Sequence, residues 1–167
     1  HMIKHYAMAG ALLLSASVCV YGQNDTVNID FGSTSNTSAS PWNNLTDSQN
    51  DTVIPLLNTR GSVTGMRIAV TDSFNTGSNT GGVINSPDLP ASATKDSFFG
   101  AMQAGSVGGQ QTTGGVTFYG LDPAITYNFG FYASRTDNAS NRETKYVAEG
   151  VNKDSTAFDV AILSPGP

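Results

Sequence analysis

The chain has 167 residues, a length that suits one domain rather than two. Its 8 Lys and Arg stand against 13 Asp and Glu, a net charge of −5. That balance argues against nucleic-acid binding and against polybasic attachment to anionic lipid, since both rest on neutralising phosphates with basic side chains. The two histidines, His1 and His5, and the single cysteine, Cys19, all lie near the N-terminus. The remainder therefore cannot build a Ser-His-Asp triad, a Cys-His dyad, a His-ligated zinc site or a disulfide.

In chain order, His1-Met2 reads as a cloning scar, followed by Lys4, an apolar run over residues 7–20 and a small-residue stop ending at Gly22. That order matches the n-region, h-region and cleavage site of a secretory signal peptide over residues 1–22. The run is too short to cross a bilayer core of about 30 Å as a helix, so no membrane span is expected after cleavage. Lipidation at Cys19 is a minority reading, because Val18 stands where a small residue is usual; no Glu follows that would suit a pilin-like leader. Residues 23–167 are then one secreted or cell-surface domain with 7 Lys and Arg against 13 Asp and Glu. About a third of it is Ser, Thr and Asn, with glycines throughout, the profile of short strands joined by many turns.

Residues 26–31 alternate, with Val27, Ile29 and Phe31 on one face and Asn28 and Asp30 on the other, as in a half-buried strand. Residues 32–50 form a long polar stretch carrying Pro41 and the single tryptophan, Trp42; a loop of that length in a compact domain is often functional. Residues 52–57 are apolar but hold Pro55, which suits an edge strand or a helical turn. Met66, Ile68 and Val70 alternate inward, with Arg67 and Ala69 outward. Residues 96–102 are a short apolar element of open type, and residues 116–119 a strand. Residues 126–135 place Tyr127, Phe129, Phe131 and Ala133 on one face. With residues 143–149 they read as a hairpin, and residues 158–162 as a last strand. No sustained 3.6-residue period is present. About eight short strands spaced by turns predict an all-β, antiparallel β-sandwich.

Residues 120–129 resemble the Leu-x-Pro-x-x-x-Tyr-x-Phe corner of fibronectin type III and related sandwich domains. The resemblance implies that Leu121 plugs the core, Pro123 stiffens the turn and the Tyr127 hydroxyl bonds the corner backbone. More broadly, the order IDFG, SPWNN, DSFFG, GLDP, YNFGFYASR and NRET resembles exported domains of bacterial surface proteins and polysaccharide-degrading systems. Those are similar to galactose-binding or carbohydrate-binding jelly rolls, which implies glycan recognition. A further strand is expected after residues 158–162. The chain stops at Pro167, so either the sheet lacks its last strand or a neighbour completes it.

Trp42, flanked by Asn43 and Asn44, offers a flat stacking face beside amide donors and acceptors, which suits a sugar ring and its hydroxyls. Its plainer role is to cap one end of the sandwich as core. Arg135 or Arg142 could bond vicinal hydroxyls or a uronic acid carboxylate, while an Arg135–Glu143 cross-strand pair is the plainer role. Tyr119, Tyr132 and Tyr146 form either an outward aromatic platform or ordinary strand packing. Asp47, Asn50, Asp51, Asp72 and Asp88 offer oxygen ligands for a structural calcium; their spacing matches no EF-hand loop, and Asx-turns explain them as well. The expected function is a non-catalytic domain that binds glycan. The alternative is a self-associating surface or filament subunit, completed by strand donation from a neighbouring surface protein. Glycosidase chemistry on two acids ranks third.

Overall fold

The computed structural model describes residues 12–18, 23–49, 52–75, 80–84, 88–100, 111–136, 142–159 and 161–162. Cys19, Asn50, Asp51, residues 137–141 and the tail at 163–167 lie outside the described residues, as does most of the predicted leader. The fold is all-β, with one short helix among the described residues. No described helix is long and apolar enough to cross a membrane.

The first strand, β1 (Leu12–Val18), comes from the apolar run itself, and β2 (Gln23–Phe31) from the alternating segment that follows. Next come β3 (Asn43–Leu45), β4 (Ile54–Leu57) and β5 (Val63–Asp72). The five-residue helix α1 (Ala91–Lys95) starts after Pro90, which has no amide hydrogen to donate. Strands β6 (Gly115–Tyr119), β7 (Tyr127–Phe131), β8 (Arg135–Thr136), β9 (Glu143–Glu149), β10 (Lys153–Asp159) and β11 (Ala161–Ile162) complete the order.

One sheet runs β3-β2-β1-β7 and a second runs β4-β5-β6, with small β10-β9 and β11-β8 sheets beside them. Strand β1 lies antiparallel between β2 and β7, with Leu12 level with both Ile29 and Phe131. The C-terminal ends of β2 and β7 therefore lie at the same end of the sheet, on either side of β1. Strand β3 runs parallel to β2, pairing Asn43 with Ile29 and Leu45 with Phe31. Pro55 is tolerated because β4 is an edge strand.

Side chains from both larger sheets meet in one apolar cluster: Val27, Ile29 and Phe31 of β2, Leu56 of β4, and Ile68 and Val70 of β5. Phe98 is inserted between Phe31 and Phe74, at ring-centroid distances of 5.7 and 5.4 Å. It gives the 96–102 segment its role: the residues after α1 anchor that region to the core. At the corner before β7, Gly120 adopts a φ of 76° and lies so close to the Gly65 carbonyl that a Cβ would collide with it. The Tyr127 hydroxyl accepts a hydrogen bond from the Asp122 backbone N–H at 2.8 Å, and Leu121 packs against the core cluster.

Several sequence expectations need correction. The 126–135 and 143–149 segments do not form a hairpin: β7 pairs with β1, and β9 pairs with β10 over seven residue pairs. The first segment also breaks at Phe131, so Arg135 belongs to the separate strand β8. The last segment divides into β10, which begins at Lys153, and β11. Ala69 is fully buried rather than outward-facing. Tyr146 is no platform residue: it is buried and stacks between Phe131 and Phe158, at 4.5 and 5.1 Å, and that burial pushes its phenol up.

Candidate functional site

Strands β2 and β3 are parallel neighbours, so the chain must leave the top of β2 and return before β3 can start. Residues 32–42 make that return and fold back onto β2. Ser38 anchors the loop, its backbone N–H and hydroxyl both donating to Asp30 Oδ2, at 3.1 and 2.7 Å. Asn44 grips the same residue from the other side. Its Oδ1 accepts from the Ser38 N–H at 2.7 Å, and its Nδ2 donates to the Ser38 carbonyl at 2.9 Å. Trp42 closes the loop with an N–H bond to the Ala39 carbonyl at 3.1 Å, and its side chain is half-buried.

Asn43 has a different task. Its Nδ2 donates to the carbonyls of Asn28 and Leu57, at 3.0 and 2.9 Å, and its Oδ1 accepts from the Leu57 N–H at 2.8 Å. One amide thus joins β2 to β4, tying the two larger sheets together beside Trp42. The amides of Asn43 and Asn44 hold the backbone around Trp42, and the indole is the loop's partly exposed aromatic surface.

A second carboxylate enters from the residue after α1. Asp96 Oδ2 accepts three bonds: from the Ser33 N–H at 2.8 Å, the Ser33 hydroxyl at 2.7 Å and Asn36 Nδ2 at 3.1 Å. Gly32 makes room for it, since a Cβ there would overlap the Asp96 carboxylate. Asp30 and Asp96 are 2 % and 1 % exposed, and Oδ1 of each has no hydrogen-bond partner among the described residues. Burial is the main cause that raises the Asp30 carboxyl to about 6; the bonds from Ser38 oppose it and the negative charge of Asp96 adds to it.

The same end of the fold receives Arg135. The Gly82 N–H donates to the Lys95 carbonyl at 2.9 Å, and the Gly81 carbonyl accepts from Thr136 N–H and hydroxyl at 2.8 and 2.9 Å. The Arg135 guanidinium lies against Gly81, where a Cβ would overlap it. Arg142 is held elsewhere, its N–H donating to Asp159 Oδ1 at 3.0 Å in the β9–β10 sheet. Of the calcium candidates, Asn50 and Asp51 lie outside the described residues, Asp47 closes an Asx-turn on the Gln49 N–H at 2.9 Å, and Asp88 is exposed. Among the described residues no three His, Cys, Asp or Glu side chains gather.

Sequence reading missed Asp30 and Asp96 as a pair. A signal was present: Asp30 stands between Ile29 and Phe31, and Asp96 lies two residues before Phe98 and Phe99, where a solvated turn residue is out of place. A groove of about 1230 Å³ forms a separate feature, lined by Phe118, Leu121, Phe129, Tyr146 and Val147 among others. Comparison with protein-family models, with curated proteins and with solved structures finds no match.

Proposed function

We propose that the protein is a non-catalytic, exported β-sandwich domain that binds glycan through the Trp42 loop. The observation that carries this reading is the way the loop is built. Trp42 is half-buried, and the residues on either side of it are fixed by seven hydrogen bonds in which Ser38, Asn43 and Asn44 donate or accept. A rigid aromatic face stacks on a sugar ring with little ordering cost, which is how a small flat contact reaches useful affinity. In this reading Trp42 makes the contact and Asn43 and Asn44 position it. Arg135 supplies charge at the same end of the fold, and Arg142 lies just before β9, bonded to Asp159 of β10.

A catalytic role has less support. The two acids that the fold brings together are 2 % and 1 % exposed, which keeps a substrate from reaching them. Affinity electrophoresis through gels of soluble polysaccharides tests the proposal. Retardation of the wild type in one glycan class, lost in Trp42→Ala and kept in part by Trp42→Phe, is the expected result. Equal retardation of wild type and Trp42→Ala would remove Trp42 from the site.

One observation favours a second reading, self-association by strand exchange. Strand β1, drawn from the segment that reads as a leader, lies in the middle of a sheet between β2 and β7. If that segment is retained in the native protein, the same strand can be donated to a neighbouring copy, with backbone pairing supplying the affinity. Intact mass of protein from its native host decides it: a mature start near Gln23 removes the donor, and a retained N-terminus with concentration-dependent oligomers supports it.

A further inference from the structure

Independently of what the Trp42 loop binds, we propose that Asp30 and Asp96 hold a calcium ion that clamps the 32–42 loop and the segment after α1 onto the end of β2. Both carboxylates are nine-tenths or more buried, and taking an ionised carboxylate out of water costs several kcal/mol. Neither has a cationic side-chain partner among the described residues.

Each carboxylate is then half satisfied. The Oδ2 atoms accept the hydrogen bonds that the two carboxylates receive from Ser33, Asn36 and Ser38, while the Oδ1 atoms are left without a partner among the described residues. The two acids meet at the end of β2, Asp30 within the strand and Asp96 against Gly32 two residues later, where one divalent cation balances both charges.

The surroundings select the ion. Among the described residues, the side chains hydrogen-bonded to the two carboxylates are Ser33, Asn36 and Ser38, with Ser92 bonded to the Ser38 hydroxyl at 2.8 Å. These offer oxygen and no imidazole or thiolate, which suits a hard cation over zinc or copper. Calcium accepts carboxylates, carbonyls and hydroxyls in irregular arrangements, whereas magnesium demands a near-ideal octahedron and keeps its water. Gly32 leaves the Asp96 carboxylate the space that any larger residue would fill.

The test uses the full chain, stripped with EDTA and melted with added calcium or magnesium chloride. Two buried carboxylates with neutral oxygens predict a Kd of about 10⁻⁴–10⁻³ M, in the range of extracellular modules. At tenfold excess over that Kd, calcium raises the Tm by about 3–5 °C and magnesium by much less. Asp96→Asn and Asp30→Asn lose the calcium-dependent increment, and Gly32→Ala weakens it. Should those variants fail to fold, terbium luminescence on the wild type replaces them, with one terbium per chain displaced by calcium as the expected result. A Tm indifferent to calcium, an undiminished increment in folded Asp96→Asn, or no bound terbium would each overturn the proposal and leave a shared proton between the two acids.

Discussion

Asp30 and Ser38 are joined twice, the backbone N–H and the hydroxyl of Ser38 both donating to Asp30 Oδ2 at 3.1 and 2.7 Å. Eight residues apart, they close the loop that carries Trp42 and cover a carboxylate on the face of β2 opposite its apolar side chains. Removing the hydroxyl leaves that carboxylate one donor short in a dry site. Ser38→Ala is expected to cost about 1–3 kcal/mol, read as a lower urea midpoint at unchanged slope. It also shifts the Trp42 emission to the red as the loop loosens. A variant with wild-type midpoint and emission would mean that the loop is held by other means.

The Asp30 carboxyl, raised to about 6 from 3.8, sets the direction of a pH effect in calcium-free buffer. Between those values the folded protein keeps a proton that the unfolded chain has released, so stability falls as pH rises. The contribution is fully present below about pH 4 and is lost by about pH 7, a span of about 2–3 kcal/mol. Urea titrations of wild type and Asp30→Asn in EDTA check the sign. The wild type declines relative to the variant across this window, and parallel profiles would show that Asp30 ionises normally.

Asn43 links β2 to β4 through three hydrogen bonds from one buried amide. Asn43→Ala strands two carbonyls and one N–H, with an expected loss of about 2–4 kcal/mol in equilibrium unfolding. Asn43→Asp keeps the acceptor and loses both donations, so it stays close to the alanine variant. Recovery of most of the stability in Asn43→Asp would contradict the assignment of the two donated bonds.

At the corner before β7, the bond from the Asp122 N–H to the Tyr127 hydroxyl is exposed, and the ring packs against the core cluster. Tyr127→Phe keeps the ring and loses the bond, costing about 0.5–1 kcal/mol. Tyr127→Ala loses both and falls well below it. Equal losses from the two would assign the whole effect to the ring.

The all-β class was legible because period-two alternation survives wherever one strand face is buried. Val27, Ile29 and Phe31 announce β2, and Met66, Ile68 and Val70 announce β5. Alternation says nothing about what covers the other face, so Asp30 looked solvated and is 2 % exposed beneath the 32–42 loop. Pairing was equally hidden. Proximity in sequence suggested that residues 126–135 pair with 143–149, whereas β7 pairs with β1, more than 100 residues earlier. At the site, Trp42 and its two asparagines stood out by composition, but only the hydrogen bonds reveal that Asn43 and Asn44 are committed to the backbone. The approach of Asp96 to Ser33, across 63 residues, leaves no local trace in the sequence.

Recognition of glycan through Trp42 is decided by a glycan microarray probed with the full chain and with Trp42→Ala, both in calcium. Reproducible wild-type binding to one glycan class, lost in Trp42→Ala at unchanged circular dichroism, is the expected result. A flat array from folded wild-type protein, or equal signals from both, would contradict it.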